Sequence, residues 1–83
     1  MNEGKIKQVI GPTVDVEFGS EHLPSILNEI RIEDPATGST VIAEVAQHIG
    51  NNTVRCVSMN STDGLVRGMK ATDMVPVKNG SSP

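Results

Sequence analysis

Tryptophan and tyrosine are absent from this chain of 83 residues, and phenylalanine occurs once, as Phe18. A chain so poor in rings has few large anchors for an interface and no stacking platform for the bases of a single strand. There is no basic run either. Seven Lys and Arg stand against ten Asp and Glu, a formal charge of -3, and the two signs are interspersed. That balance argues against a nucleic-acid or anionic-membrane partner. Cys56 is the only cysteine, so an intrachain disulfide is excluded. No apolar run is long enough for a membrane-spanning helix, and the first seven residues lack the apolar core of a signal peptide. Phosphate-binding glycine loops are missing as well: neither Gly-x-x-x-x-Gly-Lys-Ser/Thr nor Gly-x-Gly-x-x-Gly occurs.

What is present is aliphatic residues in short alternating runs. Residues 13–18 alternate cleanly, with Val14, Val16 and Phe18 on one face and Thr13, Asp15 and Glu17 on the other. Such alternation predicts a strand with one dry and one wet face. Residues 5–10, with Ile6 and Ile10 in phase, predict a strand before it, joined at Gly11-Pro12. Residues 28–33 place Ile30 and Ile32 inward and Glu29, Arg31 and Glu33 outward. Residues 40–47 place Val41, Ala43 and Val45 inward. The Asp-Pro-Ala-Thr-Gly-Ser turn at 34–39, centred on Gly38, makes a hairpin of this pair. The next turn is Gly50-Asn51-Asn52, and a strand over 53–59 follows with Val54 and Cys56 in phase. Val57 and Met59 lie on its other face, which predicts cover on both sides. A turn at 61–64, an ambiguous stretch at 65–70 and a last short strand within 69–77 complete the pattern. Residues 25–27 are read as a short turn or packing plug, and 78–83 as a polar, linker-like tail. Five or six short strands at near-regular spacing, with no helical period, predict an all-β barrel or sandwich.

Chemistry is sparse. His22, His48 and Cys56 are far apart, without the close spacing of metal ligands. Cys56 is expected to be a buried, inert thiol, and each histidine to lie on the surface or brace a turn rather than act as a general base. The acid pairs Asp15 with Glu17 and Glu29 with Glu33 fall on predicted wet faces, where solvated charge is the ordinary reading. Asn51, Asn60 and Asn79 open Asn-x-Ser/Thr triplets, read as chance. From the residues alone, a small aliphatic barrel remains whose expected business is contact with another protein surface. A free-standing barrel of the oligonucleotide-binding type, with a nucleic-acid or regulatory-protein partner, is the alternative.

Four stretches carry a resemblance. Gly-Lys-Ile-Lys-Gln-Val-Ile-Gly-Pro-Thr-Val-Asp-Val-Glu-Phe at 4–18 resembles the opening of the beta subunit of the rotary proton-translocating ATP synthase. Leu-Pro-Ser-Ile at 23–26 resembles its next segment. Glu-Val-Ala-Gln-His-Ile-Gly at 44–50 is similar to the family's Glu-Val-x-Gln-His-Leu-Gly. Thr-Val-Arg at 53–55 and Ser-Thr-Asp-Gly-Leu-Val-Arg-Gly at 61–68 continue in register, and the set points to beta rather than alpha. The resemblance implies a closed six-stranded N-terminal β-barrel over 1–77, which joins a crown of alternating alpha and beta subunits. It implies a parent complex that makes ATP from ADP and phosphate with a proton gradient. ATP, ADP and magnesium would be held by the domain that follows, with no cofactor, metal or catalytic residue in this chain. It also implies a peripheral place on the cytoplasmic face of a bacterial membrane or its organelle equivalent. An excised barrel, its flanks meant for alpha left wet, is expected either to be marginally stable or to self-associate. Gly11, Pro12, Asp63, Gly64 and Gly68 carry over as turn-shaping residues, beside Gly38 and Gly50 from the turn reading. The likeness fades after Asp73, which leaves two readings open: a shortened loop, or a truncated or engineered chain.

Overall fold

A computed structural model describes residues 2–19 and 22–75. Six strands form: β1 (Asn2–Ile10), β2 (Thr13–Phe18), β3 (Glu29–Glu33), β4 (Thr40–Gly50), β5 (Thr53–Ser58) and β6 (Lys70–Asp73). All pairings are antiparallel, and the order β1-β2-β5-β4-β3-β6 closes on itself as a barrel. Closure gives every strand two neighbours and removes the open edges that a small sheet otherwise has to protect. The expected tail at 78–83, the Asn79 triplet and the end of the last strand at 76–77 lie outside the described residues.

The alternation read from the sequence becomes the inside and outside of this barrel. Val14, Val16 and Phe18 on β2, Ile30 and Ile32 on β3, Val41, Ala43 and Val45 on β4, and Val54 and Cys56 on β5 all point inward and are buried. Ile6, Ala71 and Leu65 complete the core, and Leu23 and Met69 pack against it from loops. Each fully buried Val, Ile or Phe stabilises the fold by about 1.5–3 kcal/mol. Six strands enclose a narrow interior, so Phe18 fits only where its neighbours are small. Gly4 on β1 stands opposite it in register.

Several expectations are corrected. β1 begins at Asn2, and a register shift between Ile6 and Gln8 breaks its phase. Ile6 therefore stays inside while Ile10 turns out and is exposed. β4 runs on to Gly50 through two further register shifts, Val45/Gln47 and His48/Gly50, rather than ending at Gln47. Val57 and Met59 are exposed, so β5 is covered on one side only. Residues 25–27 form a turn but no plug: Ile26 and Leu27 are exposed, while Pro24 is buried. The ambiguous stretch at 65–70 is turns and coil as far as Met69, with Leu65 inserted into the core and Lys70 opening β6.

Two loops complete closure. After β2 the chain reaches β3 by pairing with β4 on the way, through Leu27 N–H to Val45 O (2.7 Å) and Val45 N–H to Asn28 O (3.0 Å). After β5 it returns to β1, where Gly68 N–H donates to Ile6 O and Ile6 N–H to Met69 O, both at 2.9 Å.

Candidate interaction surface

Residues directly opposite on antiparallel neighbours share a face, so the register places the outward side chains in rows. One row runs Ile10, Thr13, Val57, Glu44, Glu29 across β1, β2, β5, β4 and β3. Ile10 is 59% exposed and Val57 41%, and Met59, two residues beyond Val57, is 56% exposed. These apolar side chains flank the end of the barrel that carries the β1–β2 turn. Ser58 N–H donates to Pro12 O (2.8 Å), and the Thr62 hydroxyl donates to Gly11 O (2.7 Å), tying the turn at 61–64 to the same end.

The adjacent row is polar: Gln8, Asp15, Arg55, Gln47. Asp15 was expected to be solvated, yet it is only 3% exposed on the outer face. The Arg55 side chain lies across it and donates twice, Nε to Oδ1 at 2.9 Å and Nη2 to Oδ2 at 3.1 Å. Gln8 Nε2 adds a third bond to Oδ2 at 2.9 Å. Both carboxylate oxygens are thus engaged, in a two-point pairing with the planar guanidinium and a third bond from the amide. Arg55's hydrogen bonds hold the Asp15 carboxyl below the usual carboxylate range. Burial opposes them, and Gln8 and the charges of Arg55 and Lys7 reinforce them.

A family model for the beta-barrel domain of the ATP synthase alpha/beta family matches residues 6–74. The chain belongs to that family. The match runs from Ile6, within β1, to the residue after β6, so it covers all of the barrel except residues 2–5 of β1. A barrel of this alpha/beta family is a non-catalytic domain of its subunit.

The chemistry-bearing side chains of this alpha/beta-type barrel are dispersed. Among the described residues no three His, Cys, Asp or Glu side chains converge. Cys56 faces the core beside Val54, and burial, with Asp15's charge second, pushes its thiol up to about 12. His48 braces a loop: its Nε2 lies 2.6 Å from Pro24 O, linking β4 to the β2–β3 connection. Asn2 Nδ2 reaches the backbone oxygen of His22. Glu29 pairs with Arg31 at 3.2 Å, and Glu33 is exposed.

Gly11, Gly38, Gly50, Gly64 and Gly68 all adopt positive φ, and Pro12 and Asp63 sit in turns. Sequence reasoning missed the Asp15–Arg55 clamp. Its signal was present, as opposite charges at mid-strand positions of two outward faces, but the pairing of β2 with β5 was needed to bring them together.

Proposed function

We propose that this barrel is the N-terminal crown domain of a beta-type subunit. Its work is to hold an alternating ring together through contacts with alpha-type neighbours. The observation that carries the proposal is the apolar strip of Ile10, Val57 and Met59, gathered at one barrel end by the register and left exposed. Exposed aliphatic side chains set beside polar rows are what a subunit contact needs. The family match supports the ring setting, and the stretches at 44–50 and 61–68 support beta over alpha. On this reading ATP, ADP and magnesium are bound by other parts of the subunit. The complex makes ATP from a proton gradient and sits peripherally on the cytoplasmic face of the membrane or its organelle equivalent.

The test is sedimentation of the chain with an alpha-type barrel. A complex should form, and it should weaken at least about tenfold when Val57→Thr and Met59→Gln replace apolar contact with polar groups of similar shape. Saturable amide shifts on titration with micromolar Mg-ATP would contradict the proposal.

A further inference from the structure

The register shift between Ile6 and Gln8 takes Lys7 out of the alternation of β1. At the same place the loop before β6 is stitched onto β1 by the Gly68–Ile6 and Ile6–Met69 backbone bonds. That brings Arg67 onto the Lys7 side of the barrel. Opposite them stands the β4–β5 turn, where Gly50, Asn51 and Asn52 all have positive φ. Between these walls lies a cleft of about 270 Å³, lined among others by Lys7, Arg67, Asn51, Ile49 and the Asp15–Arg55 pair.

The charge of this cleft runs against that of the chain. Overall the protein carries -3, yet the cleft holds three cations and one carboxylate. The carboxylate is already satisfied by Arg55, through two hydrogen bonds. Elsewhere among the described residues each cation has an acid at hand. Arg31 pairs with Glu29, Lys70 pairs with Glu3, and Lys5 faces Glu17 across β1 and β2. Among the described residues, Lys7 and Arg67 neither make an ion pair nor face an acid across a strand pair. Arg67 also borders a second cleft, with Glu33, without pairing to it. Lys7 acts on Asp15 only through space, and three cations against one carboxylate leave the concave surface with an excess of positive charge; complementarity to such an excess sets specificity and encounter rate.

We propose that the cleft receives a carboxylate side chain from an acidic segment of an adjoining protein chain. Lys7 and Arg67 clamp the carboxylate, Asp15–Arg55 forms a fixed floor, and Ile49 covers the aliphatic part of the incoming residue. The identity of the occupant as a neighbouring subunit rests on the assembly reading; the charge of the cleft does not.

A hexaglutamate peptide probes the cleft directly. Titrated into the labelled chain, it should move the amides of Lys7, Arg55 and Arg67 and leave Lys5 and Lys70 in place. The response should weaken between about 0.05 and 0.3 M salt, as screening shortens the reach of exposed charges. Lys7→Glu with Arg67→Glu should weaken binding roughly three- to thirtyfold, as expected for two exposed charge contacts. Shifts spread equally over Lys5 and Lys70, or unchanged in the double variant, would overturn the proposal. So would inorganic phosphate giving the same shifts at the same concentration, which would mark a small-anion site. In the sedimentation assay, wild-type affinity of the double variant for an alpha-type barrel would overturn the subunit as occupant and leave assembly standing. No complex with the unaltered chain would overturn the assembly reading and that occupant together, while the peptide result would still judge the cleft's charge.

Discussion

Gly4 stands opposite Phe18 across the β1–β2 pair, and a Cβ built at Gly4 would lie 2.5 Å from Glu17 O and 2.9 Å from the Phe18 ring. The only aromatic ring of the chain therefore occupies space that the absence of a side chain leaves free. Gly4→Ala has to move backbone as well as the ring, and it should lower stability by about 1–3 kcal/mol. Gly19→Ala is the control, since nothing lies within 4 Å of its Cβ position, and it should stay within about 0.5 kcal/mol. Urea unfolding midpoints decide it, and equal midpoints for the two variants would refute the close-packing argument.

Asp15 makes a pH-dependent contribution. Its folded carboxyl is held below the ordinary value of 3.8, chiefly by Arg55. A depressed folded value means the stabilisation is present above 3.8 and is lost as pH falls through the folded value. Asp15→Asn keeps the shape and loses the charge, so at pH 7 it should cost about 1–3 kcal/mol. The gap between wild type and variant should narrow progressively as the pH is taken below 3.8. Unfolding curves at pH 7 and across the acid range test this, and a gap that stays constant throughout would contradict it.

These two sites mark where the sequence was legible. The dry faces could be read because each uses a strict period of two: Val14, Val16 and Phe18, then Ile30 and Ile32, then Val41, Ala43 and Val45 are all buried. The period fails where a strand shifts register. Ile10 is in phase with Ile6 in the sequence and out of phase in space, because the shift at Lys7 intervenes. Nothing local to residues 5–10 announces it. Asp15 failed for a different reason. Alternation says which face a side chain occupies, and burial on the outer face depends on what the neighbouring strand lays over it. The resemblance reached the barrel and its closure; the apolar strip and the basic cleft needed the strand order.

Cys56 should behave as a buried, inert group. Its side chain is fully buried, and burial pushes its thiol up to about 12, so almost no thiolate exists at neutral pH. A disulfide-exchange reagent at pH 8 should label the folded chain only as fast as the barrel opens, and label it within seconds in denaturing urea. Rapid labelling of the folded chain would show that the thiol reaches solvent.

The apolar strip carries the last prediction. Ile10, Val57 and Met59 are exposed at one barrel end, in a chain whose other outward rows are mostly polar. Without a neighbour this surface stays wet, and covering the exposed half of one such side chain is worth about 0.5–1.5 kcal/mol. Two copies that meet strip to strip would each remove Val57 and Met59 from water, so the chain alone should sediment with a concentration-dependent mass. Val57→Thr keeps a β-branched side chain in the strand, and Met59→Gln keeps length and flexibility. Both side chains already face solvent, so stability should change by no more than about 0.5 kcal/mol per site. Self-association should fall while the melting temperature holds. Mass that stays concentration-dependent in the double variant would place the sticky surface elsewhere, with Ile26 and Leu27 of the β2–β3 connection next to be tested.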